Sequence, residues 1–255
     1  MRNIKILTMN ELKEAIEDMK VLWLPIFFAF IGLTQPLVTK YMDVLLANFT
    51  SGDEIIFNPN SPDPRGAEVL SGTLSSQFDQ LGLIILVISI MGVILIEKKN
   101  GYMNFIFTRP VKPMEYITAK FTGQTILIFF SISLGYSTSY LYTGILFEFV
   151  GIQPFLFSLL NYLAWIAFIV SLVILFNVLM NKAFLVALFT IFIAFLLRMG
   201  IHYAGTLKWL FPSISALNSV EVLTAGTYSI AGFIITLGWT AGLLFISNRQ
   251  LLKRR

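Results

Sequence analysis

Six long apolar stretches, each closed by charged residues, alternate with polar segments along this chain. Residues 21–39 lie between Lys20 and Lys40, 80–96 between Asp79 and Glu97, and 121–147 between Lys120 and Glu148. Further on, 149–181 ends at Lys182, 183–197 ends at Arg198, and 222–248 lies between Glu221 and Arg249. A helix needs about 20 apolar residues to cross a bilayer core, so each stretch is read as one crossing. The stretch 149–181 is too short for two, and Pro154 suits the first turn of a helix, which sets that span at 155–181. The fifth stretch is short and is extended through Arg198 to 183–201, its guanidinium reaching back to the interface. The pattern predicts an all-α integral membrane protein, a single domain over 1–255. Its six transmembrane helices cover 21–39, 80–96, 121–147, 155–181, 183–201 and 226–248.

The polar segments carry their own patterns. Within 1–20 and into the first span, Leu12, Ala15, Ile16, Met19 and Trp23 follow helical spacing, with Glu11, Glu14, Glu17 and Asp18 elsewhere around the helix. Asn10 suits its cap. This predicts an amphipathic interfacial helix, serving as an anchor or as a docking element. Residues 40–79 read as an outer loop, since Asn58-Pro59-Asn60-Ser61-Pro62-Asp63-Pro64 breaks helix and strand alike; its acidic residues lack calcium-loop spacing. The inner loop 97–120 mixes aromatics with charges, and Tyr102, Phe105 and Ile106 share one face of a short helix ended by Pro110. Such a face presents itself to a partner or presses on the membrane.

Composition agrees with the pattern: 56% of the 255 residues are hydrophobic, 13% are charged, and the mean hydropathy is +0.79. A soluble domain carries about a quarter charged residues, so an ordinary cytosolic enzyme is excluded. No cysteine and one histidine leave no thiolate site and no zinc-hydrolase constellation, and no metal ligand set is expected. The net charge of +4 is read as topology and not as affinity for nucleic acid. With the N-terminus inside, only Lys40, Arg65, Arg198 and Lys208 fall outside, leaving 14 of the 18 basic residues on inner segments. Both termini are therefore expected in the cytoplasm. A cleavable signal peptide is not expected, because charged residues 11–20 precede the first apolar run and no small-residue cleavage site follows it.

Glu97, Gly101, the run Phe105-Ile106-Phe107-Thr108-Arg109-Pro110-Val111, then Glu115-Tyr116 and Lys120, resemble the coupling-helix region of type-2 ABC exporter permeases. Tyr102 stands where that family commonly has Thr, and Phe-Ile-Phe where it has leucines. As topology the resemblance extends to the N-terminal helix, the six spans and the stretch 207–226, whose Trp209, Phe211-Pro212 and Asn218 look like short re-entrant outer helices. It implies two permease subunits, as a homodimer or a heterodimer with a related permease, and two ATP-binding subunits that hold ATP and Mg. On that reading Glu97, Gly101, Tyr102, Phe105, Ile106, Arg109 and Pro110 form the ATPase-coupling surface. No G-x-x-x-x-G-K-[ST] occurs, so this chain has no phosphate-cradling loop and no cofactor of its own is expected.

Gln124, Ser131, Gly135, Ser139 and Tyr142 recur on one face of the third span, suited to lining a translocation route or to tight helix packing. Gly238-Trp239-Thr240-Ala241-Gly242 is a G-x-x-x-G suited to helix contact within or between subunits. No Asp or Glu lies in the middle of a predicted span, which argues against an ion-coupled secondary transporter and against a strongly charged substrate at the membrane centre, and favours an amphiphile or peptide; the resemblance adds antibiotic-like substrates. Intramembrane catalysis is disfavoured: G-x-S-x-G is absent, and His202 has no acidic neighbour in sequence to orient it. The composition is compatible with a bacterial plasma membrane.

Overall fold

The computed structural model describes residues 2–42, 64–108 and 111–253. It is helical throughout: α1 (Arg2–Glu17), α2 (Lys20–Lys40), α3 (Gly66–Lys99), α4 (Tyr102–Phe107), α5 (Pro113–Leu146), α6 (Ile152–Leu179) and α7 (Ala183–Tyr203). A 3-10 turn (Gly205–Leu210), α8 (Ile214–Thr224) and α9 (Ile230–Lys253) follow, and no strand occurs among the described residues. Six helices, α2, α3, α5, α6, α7 and α9, are long and apolar enough to cross a membrane. An even number of crossings returns the chain to the end from which it started.

The core is built around α6, whose apolar side chains extend around its circumference. Of its most apolar window 83% is buried, against 22% for α9, so α6 is enclosed while α2, α7 and α9 turn broad apolar faces outward. That outward apolar surface is what a lipid solvent requires. Trp165 and Tyr162 of α6 are almost fully buried, and Tyr136 of α5 bonds Ser158 at 2.9 Å while stacking on Phe155.

Helices α2 and α5 approach most closely where glycines face each other. A Cβ on Gly135 would stand 2.5 Å from the Phe28 carbonyl oxygen, and one on Gly32 would collide with the Gly135 carbonyl. Small residues at such a crossing let backbones meet, the usual solution where lipid offers no hydrophobic drive between helices. Pro25 and Pro36 lie inside α2. The corner between α1 and α2 is made by Met19 at φ 56°, a strained conformation for a residue with a side chain, clasped by the Lys20–Asp18 ion pair at 2.8 Å.

Helix α3 departs from expectation. Residues 66–79, expected within the outer loop, are helical: Leu70, Leu74 and Phe78 bury one face, and Thr73–Gly82 winds as a π-helix. The hydroxyls of Ser71, Ser75 and Ser76 satisfy backbone carbonyls three or four residues back at 2.6–3.1 Å. Polar composition therefore did not mean loop here. The rest of the expected loop, 43–63, lies outside the described residues. Near its other end α3 is interrupted by a turn over 91–94, before Leu95–Lys99 resumes the helix. The Ile94 N–H donates to Asn177 Oδ1 of α6 at 3.4 Å, and Lys98 Nζ donates to the Asn177 and Val178 carbonyls, both at 3.2 Å.

Helix α5 begins at Pro113, ahead of the expected 121, with Glu115 accepting the Lys112 backbone N–H at 3.0 Å in a capping arrangement. At the opposite end of the bundle the chain after α7 folds back between its neighbours. Ser213 donates to the Leu197 carbonyl at 2.8 Å, Thr236 to the Pro212 carbonyl at 2.8 Å, and Trp239 to the Leu210 carbonyl at 3.0 Å. Ile214 and Ala216 of α8 are buried, as is Asn218.

Candidate functional site

One face of α5 gathers most of the polar side chains that the sequence points to, together with Tyr116 and the span-closing Lys120. Tyr116, Lys120 and Gln124 stand one turn apart in a single row. Lys120, 2% exposed, places its ammonium 2.6 Å from Glu97 Oε1 and in an ion pair with Glu11 of α1. The Tyr116 hydroxyl donates to the second Glu97 oxygen, and Gln124 Nε2 donates to Glu11 Oε2 at 3.2 Å. Gly123 makes the approach possible, since a Cβ there would lie 2.6 Å from Glu11 Cβ. Asn3 donates to Glu115 at 3.3 Å, so α1 runs alongside the first turns of α5.

Two carboxylates share one ammonium, and Glu14 brings a third carboxylate: oxygens of Glu11, Glu14 and Glu97 lie within 4.8 Å of one another. Burial pushes the Glu11 carboxyl above its ordinary range, against the lowering effect of Lys120. The arrangement is a charge-assisted clamp joining α1, the end of α3 and the start of α5. The amphipathic pattern placed Glu11 on the polar side of α1, and the structure corrects this: Glu11 is buried, whereas Ile16 and Met19 are exposed.

Of the expected coupling residues, Glu97 belongs to this clamp and Gly101, Tyr102 and Ile106 follow it along the chain. Gly101, at φ 74°, makes the turn from Glu97 into α4, a conformation that favours glycine. Tyr102 is exposed, while Ile106 is partly buried against the core. Arg109 and Pro110 lie outside the described residues, as does the side chain of Phe105. A cavity of about 620 Å³ opens between α1, α3, α4 and α7, with Glu11, Glu14, Tyr102, Ile106 and Gln124 among its walls.

The lining candidates divide. Ser131 is buried and donates to the Leu127 carbonyl at 2.9 Å; Ser139 is buried and shares a hydrogen bond of 2.7 Å with Thr73; Gly135 faces the α2 backbone. Within one chain these three residues face protein, Gln124 stands on the cavity wall with its amide nitrogen on Glu11, and Tyr142 is exposed. A Cβ on Gly238 or Gly242 would meet nothing within 4 Å, so that face of α9 is open.

A second buried pair was missed. Asp79, expected to end a span, lies inside α3 and pairs with Arg198 of α7. The Arg198 side chain is only 15% exposed: its guanidinium turns to Asp79 and not to solvent. Asp79 is thus an acid within a membrane-length helix, though not in the middle of its apolar run. Asp79 stands 20 positions from Lys99, roughly 30 Å along a helix, near the far edge of an apolar layer of about that depth. Tyr162 and Trp165 of α6 direct their polar atoms toward it. Charge counting alone treats such residues as terminators. A signal was nevertheless present in the spacing of Tyr116, Lys120 and Gln124, which continues the row of Ser131, Gly135 and Ser139.

No family model matches the chain. It is similar to the uncharacterized transmembrane protein YxlG of Bacillus subtilis (strain 168), with 36% identity over 174 residues, 67% of this chain and 66% of that one. The match thus spans slightly less than two thirds of the relative's length. Six apolar helices and a transmembrane relative together make this a multi-pass membrane protein.

Proposed function

We propose that this multi-pass protein is the permease subunit of an ATP-driven ABC exporter. A separate ATP-binding subunit and a second permease, identical or related, complete the assembly in a bacterial plasma membrane, with both termini cytoplasmic. Its cargo is amphiphilic, peptide-like or antibiotic-like. The observation that carries this reading is the clamp of Lys120 on Glu11 and Glu97, set directly beside the short helix α4. A push on Tyr102–Phe107 passes into the last turn of α3 and, through Glu97 and Lys120, into α1 and α5 at once. ATP drives the change only by binding one state of the assembly better than the other. The α8 segment, folded back against α6 and α9, serves as the outer re-entrant element on this reading.

Purification of the tagged chain in mild detergent tests the proposal. An ATPase that accompanies the native chain and is lost when Phe105 and Arg109 are both changed to Ala is the expected result. Transport that persists after ATP depletion, by a chain that purifies alone, overturns it. That outcome would favour an ion-coupled secondary transporter, the reading to which the buried Asp79–Arg198 pair lends support.

A further inference from the structure

The 620 Å³ cavity is the polar half of a longer cleft. Ile88 and Met91 of α3 line it and also line an apolar groove of about 540 Å³ against α7, bounded there by Phe184, Leu188, Phe192 and Phe195. Those four α7 residues fall on one helical face, spanning 11 positions or roughly 16 Å. Both volumes lie in the range typical of small-molecule sites.

The polar half has an acidic excess. Glu11, Glu14, Glu17, Asp18 and Glu97 stand on its walls against Lys20 and Lys99. Lys20 is engaged by Asp18, and Lys120 is shared between Glu11 and Glu97. Among the described residues Glu14 and Glu17 make no ion pair. A second feature asks for a donor: Gln124, 5% exposed and on the cavity wall, spends its amide nitrogen on Glu11 and leaves its amide oxygen without a partner. A buried acceptor left unmatched carries a desolvation cost that a ligand N–H removes.

We infer that this cleft binds single-tailed cationic amphiphiles, with a primary ammonium among Glu14, Glu17 and the Gln124 amide oxygen and the tail along Phe184, Leu188 and Phe192. A primary ammonium donates hydrogen bonds, whereas a quaternary one offers charge alone, so the site should distinguish them. As a cargo site this rests on the exporter reading, but binding itself requires no ATPase. A failure to bind therefore leaves the exporter reading standing, and the loss of that reading leaves binding intact.

The test is equilibrium binding of labelled dodecylamine to the full chain in lipid nanodiscs, with empty nanodiscs as background. Dodecyltrimethylammonium, dodecanol and dodecyl sulfate serve as competitors. Saturable dodecylamine binding is expected, with dodecyltrimethylammonium several-fold weaker and the neutral and anionic compounds at least tenfold weaker. Glu14→Gln with Glu17→Gln should weaken it about tenfold, and Leu188→Trp, which fills the groove from an exposed position, should weaken it without altering the clamp. Equal competition by dodecanol or dodecyl sulfate, or binding indifferent to both variants, would mean partition into lipid or an unselective groove and would overturn the inference.

Discussion

At the scale of single residues, Lys120 is the side chain whose loss should matter most. Removing one member of a buried ion pair leaves an uncompensated charge and costs about 3–5 kcal/mol. Lys120→Met strands both Glu11 and Glu97, so its melting temperature in mild detergent should fall sharply, and adding Glu11→Gln and Glu97→Gln should restore most of the loss. Burial raises the Glu11 pKa above its ordinary value of 4.5, so the folded chain holds a proton there that the unfolded chain has released. This contribution is present at low pH and is lost as pH rises from 4.5 through the raised value. Melting temperatures of the native chain and Glu11→Gln across a pH series should diverge in that window, the native chain losing relative stability as pH rises. Neither Lys120 nor Asp79 was legible as a buried partner, because a one-dimensional hydropathy pattern scores a charge as the end of a span. Their partners sit on other helices, which the spacing along α5 or α3 does not identify, although the row of Tyr116, Lys120 and Gln124 marks the face of α5 that meets them.

At the scale of elements, the crossing of α2 and α5 and the outer face of α9 form a natural contrast. Gly135→Ala places a methyl 2.5 Å from a backbone oxygen of Phe28, and overpacking of this kind costs roughly 1–3 kcal/mol. Gly238→Ala meets open space and should leave the melting temperature unchanged or slightly raised, helped by the better helix propensity of alanine. Reversal of this order in thermal melts would show that the crossing is not as tight as described. The main apolar runs of α2, α6, α7 and α9 were legible in the sequence because uninterrupted hydrophobicity is itself the signal. The beginning of α3 was not, since serines that bond their own backbone make a helix look like a loop. Leu70, Leu74 and Phe78 held the information, but only as a spacing of four among polar neighbours.

At the scale of the whole molecule, enclosure of α6 leaves the flanking helices to meet lipid or another subunit. If the second permease of the proposed exporter is another copy packed on the open G-x-x-x-G face of α9, Gly238→Leu with Gly242→Leu should shift the mass measured by light scattering in detergent toward the single chain. Unchanged mass would show that this face makes no contact between copies. The all-helical architecture followed from composition and apolar run length, whereas which outer surfaces meet lipid and which meet another chain is not marked in one sequence. The turn at 91–94 has a mechanical implication. A helix of this length resists bending because every amide is tied to a carbonyl on its own axis, but here the ladder is already open and the Ile94 amide is tethered sideways to Asn177. Helix α3 thus has a built-in elbow: its forearm, from Leu95 to the end of α4, is held by side chains, Lys98 on the Asn177 and Val178 carbonyls and Glu97 on Lys120, so any swing there is transmitted to α6 and α5.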